Sequence, residues 1–184
     1  RLDRVVGGVM VYARTPAAAA ALSTAVAKGL LQKIYLAVVP GETPDHDEWQ
    51  DYLFKDSTQN KVFVVPTLRK GAREAALYFR TLETAAQDGA ALSKVRVTLL
   101  TGRSHQIRVQ FAHAGWALLG DTKYGNTTVA GTAGSPAYRG VALCAYSLDF
   151  THPGNGKKMS FRVKPQNPAF EKFTKIPSED IFEG

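Results

Sequence analysis

The sequence predicts an α+β fold, a mixed and mainly antiparallel sheet with a few flanking helices. Three observations lead there. Short runs rich in apolar and β-branched residues recur along the chain, divided by polar turns such as Asp56–Asn60 and Arg69–Gly71. Only two longer stretches, near Thr15–Gly29 and Ser104–Gly115, carry helical spacing with start and stop residues. In Ser93–Leu100, Val95, Val97 and Leu99 alternate with Arg96 and Thr98, as in a half-buried strand.

Val5–Ala13 (VVGGVMVYA) reads as a buried strand, with Gly7-Gly8 marking a bulge or a close backbone approach. Thr15 is placed to cap a helix and Pro16 to be its first residue; Ala17–Lys28 follows and Gly29 closes it. Leu31–Val39 is the next strand, ended by Pro40-Gly41. An acidic connection, Glu42–Glu48, leads to short strands at Trp49–Lys55, Lys61–Pro66 and Glu74–Leu82. After a turn at Gln87–Gly89 comes Ser93–Leu100. Ser104 is a suitable cap for a helix whose apolar residues fall at Ile107, Phe111 and Ala114, with Gly115 as its stop. Gly125–Gly140 reads as a loop long enough for a functional role. Val141–Phe150 is a strand, His152–Gly156 a turn and Met159–Val163 the returning arm of a hairpin. A short helix is expected at Pro168–Thr174.

The 184 residues fit a single domain, and 45% hydrophobic content is enough to bury a core. The net charge of +7 favours a polyanionic partner, nucleic acid above all. No apolar run has the ~20 residues that a membrane span requires, and no signal-peptide pattern occurs, so no membrane partner is expected. The one cysteine, Cys144, lies in an apolar run and reads as a buried small hydrophobe in a reducing cytoplasm.

The four histidines, His46, His105, His113 and His152, lack metal-ligand spacing, and the phosphate-loop, dinucleotide and nucleophile-elbow motifs are missing. No cofactor and no metal is expected. Three features remain. A helix start flanked by Arg103 and Arg108 offers N–H groups and positive charge to an anion, or is a plain strand-turn-helix corner. Asp3, between Arg1 and Arg4, is either an arginine-held nucleophile or electrostatic group, or a simple surface ion pair. Tyr35 is either half-buried packing or a surface on which a base stacks.

Several blocks in order resemble the RluA-type pseudouridine synthases: Arg1-Leu2-Asp3-Arg4 with Gly8, then Lys33-Ile34-Tyr35-Leu36-Ala37, then Thr101–Val109 (TGRSHQIRV), then Gly120-Asp121 with Tyr124-Gly125, and last Ala142–Leu148 followed by Phe150–Pro153. The resemblance implies a pseudouridine-synthase-like sheet and the cofactor-free conversion of uridine to pseudouridine in ribosomal or transfer RNA. It implies Asp3 as the catalytic aspartate, Tyr35 as the active-site tyrosine and Arg108 as the aspartate's basic partner. Arg1, Arg4, Arg103, Ser104, His105 and Gln106 are implied to line the site or meet phosphate, and Leu143 to lie against the base. Members of that family carry a histidine before the position of Arg1, further N-terminal strands and often an S4-like domain. Residues 1–184 are therefore expected to be one catalytic domain from a longer protein, acting as a monomer. Gln110 and Cys144 stand where the family commonly has histidine. The competing readings are a non-catalytic RNA-binding domain that keeps the fold, and a basic structural protein.

Overall fold

The computed structural model describes residues 2–87, 90–125 and 140–175. Among the described residues eight strands form one sheet: β1 (Gly7–Gly8), β2 (Gln32–Pro40), β3 (His46–Asp56), β4 (Lys61–Val65), β5 (Ala72–Gln87), β6 (Ala90–Leu99), β7 (Leu143–Thr151) and β8 (Lys158–Arg162). Their order is β1-β7-β2-β6-β5-β3-β4, with β8 also on β7. Every pairing is antiparallel except β1 with β7. The α+β expectation holds. The helices are α1 (Pro16–Ala27) and α2 (Gln106–His113), and a 3-10 turn spans Pro168–Phe170.

Alternation along the strands divides the core. On one face Tyr35, Ala37 and Val39 of β2 join Leu77, Phe79, Val95, Val97, Leu143 and Ala145, and α2 lays Ile107 and Phe111 across them. Phe111 is fully buried, and burial of such a side chain contributes about 1.5–3 kcal/mol. Leu36, Val38, Leu92 and Cys144 point the other way, under Ala169, Phe170 and Phe173. Burial pushes the Cys144 thiol up to about 11, in line with a packing role. A third cluster joins Leu53, Val62 and Ala75 to Val109 on the flank of α2. Among the described residues no helix is long and apolar enough to cross a membrane.

Local signals placed α1 well. Thr15 Oγ1 accepts the Ala18 N–H at 3.2 Å, and Pro16 is the first helical residue. Two expectations fail. Ser104 does not cap α2: the cap position belongs to His105, whose side chain makes no capping bond. Val5–Ala13 is not a buried strand, since only Gly7–Gly8 pairs and Val5, Met10 and Tyr12 are exposed. The reason is geometric. Gly7 and Gly8 take the edge of β7 at Cys144 and Ala145, while β8 occupies that edge from Ser147 onward. The loop expectation for Gly125–Gly140 falls on residues 126–139, outside the described residues.

Gly8 is where the leading segment docks. Its φ is +132°, and a Cβ there would overlap the backbone of Ala145. Gly8→Ala is therefore expected to lower the thermal midpoint, with a cost of about 1–3 kcal/mol from strain and overpacking. It should also loosen Asp3, five residues earlier in the chain. A calorimetric midpoint equal to wild type would contradict this docking.

Candidate active site

Between β6 and α2 the chain turns through Thr101-Gly102-Arg103-Ser104. Gln106 locks that turn. Its Oε1 accepts the Arg103 N–H and the Thr101 hydroxyl, each at 2.9 Å, and its Nε2 donates to Ala76 O at 3.0 Å. His105 then takes a left-handed backbone (φ 53°, ψ 18°) and α2 begins. Because Ile107 and Phe111 face the sheet and Val109 the third cluster, Arg108 is carried inward to 5% exposure.

A buried guanidinium needs counter-charge, and Arg108 has it on two sides. Its Nε and Nη2 donate to Asp121 Oδ2 and Oδ1, each at 2.7 Å, a two-pronged pair. Its Nη1 donates to Asp3 Oδ2. The Asp121 side chain is fully buried, and its Oδ1 also accepts the backbone N–H groups of Lys123 and Tyr124 at 3.0 and 3.1 Å. The turn bearing it is tied to the sheet, with Leu119 N–H on Val38 O and Ala142 N–H on Leu119 O. Gly125 closes the turn, and a Cβ there would overlap the Asp121 carbonyl. Burial works against the charge of Arg108, but the hydrogen bonds and charge of Asp121, then of Asp3, hold its pKa above the ordinary arginine value.

Asp3 has a second neighbour, His105, whose Nε2 lies 3.5 Å from Asp3 Oδ2. Burial lowers the His105 pKa against the pull of Asp3, and Arg108, Lys123 and Lys55 lower it further, so the ring is neutral at pH 7. With one guanidinium between two carboxylates, the cluster carries a surplus negative charge. The Tyr124 ring lies 5.1 Å from the Arg108 guanidinium carbon, and its hydroxyl lies 2.6 Å from His105 Nδ1.

Tyr35 is buried to 8% exposure, and that burial raises its pKa and keeps it a phenol. It lines a cleft of about 330 Å³ with Leu2, Lys33, Ala145 and the segment from Val9 to Ala13. Asp3 adjoins this cleft through Leu2 and is not itself among the lining residues.

The expected sites thus divide. Asp3, Arg108 and His105 come together. Tyr35 and Leu143 share the core cluster that Leu2 packs against, and Leu143 is 6% exposed. Arg4 and Ser104 are exposed, and Arg103 Nε donates to Glu74 O at 2.8 Å. Arg1 lies outside the described residues. Gln106 is 2% exposed, and both ends of its amide bind the protein, so its side chain braces the turn. Of the two arginines flanking the helix start, Arg108 is held by the protein's own carboxylates, which leaves Arg103 for an outside anion. For Asp121 and Tyr124 the resemblance supplies a block, Gly120-Asp121 with Tyr124-Gly125, and no role. An acid flanked by glycine was visible in the sequence, but not the cation it faces. Among the described residues no group of three potential ligands is placed to hold a metal.

A model of RNA pseudouridylate synthase matches residues 1–113, which include Asp3, Tyr35 and Arg108. The chain belongs to the RNA pseudouridylate synthase family. Within it, the RluA-type resemblance is borne out by curated relatives. Ribosomal large subunit pseudouridine synthase D of Neisseria meningitidis serogroup A is 34% identical over 169 residues, covering 89% of this chain and 43% of that protein. Ribosomal large subunit pseudouridine synthase C of Salmonella typhimurium is 32% identical over 174 residues, covering 91% and 52%. The chain spans about half the length of the curated relatives it matches. Among solved structures, human RNA pseudouridylate synthase domain containing 4 aligns with a TM-score of 0.70 at 21% identity, covering 90% of this chain and 69% of that one. Human RNA pseudouridylate synthase domain containing 1 gives 0.68 at 23%, covering 82% and 61%. At such identity these two speak for the pseudouridylate synthase fold.

Proposed function

We propose that the protein isomerises uridine to pseudouridine in ribosomal RNA, with Asp3 as the catalytic carboxylate. The observation that carries this is the grip of the buried Arg108 on Asp3, beside the cleft that Tyr35 lines. A domain that only binds RNA has no need to bury an arginine between two carboxylates. The names of the relatives above favour ribosomal over transfer RNA. The single continuous sheet supports one catalytic domain, proposed here to act as a monomer, and the free, buried Cys144 suits a reducing cytoplasm.

In the reaction the bond from ribose C1′ to uracil N1 breaks and a bond from C1′ to C5 forms. C5 loses a proton and N1 gains one, so no oxidant or co-reactant is consumed. Positive charge develops at C1′ as the first bond opens, and the surplus negative charge of the Asp3–Arg108–Asp121 cluster stabilises it. The uridine must first leave its stack, at a cost of about a few kcal/mol. Stacking on an aromatic ring returns roughly 1–3 kcal/mol, the role given to Tyr35. The exposed Arg4 and the half-buried Arg103 meet backbone phosphates, which makes binding salt-dependent.

Incubation with ribosomal RNA lacking pseudouridine, followed by site mapping, tests this reading. New pseudouridine at defined positions is expected. RNA binding without isomerisation would establish the non-catalytic alternative.

A further inference from the structure

One donor in the site has no choice of role. The Val62 backbone N–H donates to Tyr124 Oη at 2.9 Å. The phenol proton is then left for His105 Nδ1, 2.6 Å away. Nδ1 accepts, and the imidazole proton sits on Nε2, the nitrogen 3.5 Å from Asp3 Oδ2. The opposite direction would leave the phenol hydrogen without an acceptor among the described residues. It would also set a bare Nε2 lone pair against a carboxylate.

Both groups that face Asp3 therefore meet the same oxygen. Arg108 Nη1 and His105 Nε2 converge on Oδ2, and Oδ1 has no protein partner among the described residues. Nothing local explains a histidine at position 105. The side chain caps no N–H of α2, and its left-handed backbone is one that asparagine or glycine adopts more readily.

We propose that Tyr124, acting through His105, is a positioning residue that anchors Asp3 by Oδ2 and leaves Oδ1 as the oxygen presented to the substrate. This rests on the reading of Asp3 as the catalytic carboxylate. Tyr124→Phe keeps the ring against Arg108 and removes only the hydroxyl.

The test combines single-turnover and steady-state kinetics on an RNA fragment with ¹⁵N NMR of His105, which needs no RNA. Tyr124→Phe is expected to lower kcat about 10–100-fold with KM within about twofold, the scale of a small misplacement of a reacting group. The proton of His105 is expected on Nε2 in wild type and shared between the nitrogens in Tyr124→Phe. Two further variants separate positioning from structure. His105→Gln carries an amide N–H to the place of Nε2, whereas His105→Asn imitates Nδ1 and cannot reach Asp3. The proposal requires Gln to retain more kcat than Asn. A purely structural role predicts the reverse, since Asn suits the left-handed backbone better. The proposal is overturned by an unchanged kcat in Tyr124→Phe, by Asn matching or exceeding Gln, or by a proton on Nδ1 in wild type. A wild-type protein that forms no pseudouridine would instead defeat the functional reading, and the NMR measurement would still decide the hydrogen-bond direction.

Discussion

Asp3→Asn is expected to lower the rate of pseudouridine formation by about 10⁴-fold or more, the size of effect that follows removal of a catalytic carboxylate or nucleophile. The substitution keeps the shape of the side chain and one acceptor oxygen for Arg108 while removing the charge. It also cancels the surplus negative charge of the cluster, because Arg108 and Asp121 then balance one another. The fold should survive. Asp3 is partly exposed, Arg108 keeps both hydrogen bonds to Asp121, and a charge-assisted hydrogen bond is worth about 1.5–3 kcal/mol. RNA affinity, measured in parallel, should change little, since Arg4 and Arg103, proposed to meet phosphate, are untouched. A variant that isomerises uridine at the wild-type rate would remove Asp3 from the mechanism.

Asp121→Ala is expected to cost about 3–5 kcal/mol of stability, the range for stripping one partner from a buried ion pair. In a domain of this size that corresponds to a thermal midpoint lower by about 6–20 °C. Three losses coincide: two short hydrogen bonds to Arg108, the acceptor for the Lys123 and Tyr124 N–H groups, and the counter-charge deepest in the site. Activity should fall with stability, because Arg108 would be free to swing and Asp3 with it. Asp121→Asn should lie between Ala and wild type, since its carbonyl oxygen still serves the turn. A midpoint within about a degree of wild type in Asp121→Ala would mean that Arg108 is not held as described.

Much of this arrangement was legible in the residues, but unevenly. Thr15-Pro16 marked the start of α1 because capping is settled within one turn of helix. Alternation at Val95, Val97 and Leu99 marked β6 because a strand's two faces meet different surroundings. The same reasoning failed for Val5–Ala13, where composition spoke for a buried strand that β7 had no free edge to accept. It failed for Ser104 because the Gln106 side chain braces the turn and shifts the helix start to His105. Asp3 and Arg108 were paired through resemblance, since nothing local links residues 105 positions apart in the chain.

Fold class, the two helices, the faces of β6 and the family follow from neighbouring residues or from ordered blocks of the chain. Only the tertiary structure decided which carboxylates hold Arg108, that Gln106 braces a turn, and that Tyr124 reaches Asp3 through His105. Those choices depend on which polar groups are buried together. A buried charge takes the partner that the packing brings within hydrogen-bond reach, and that partner is not marked by its position in the chain.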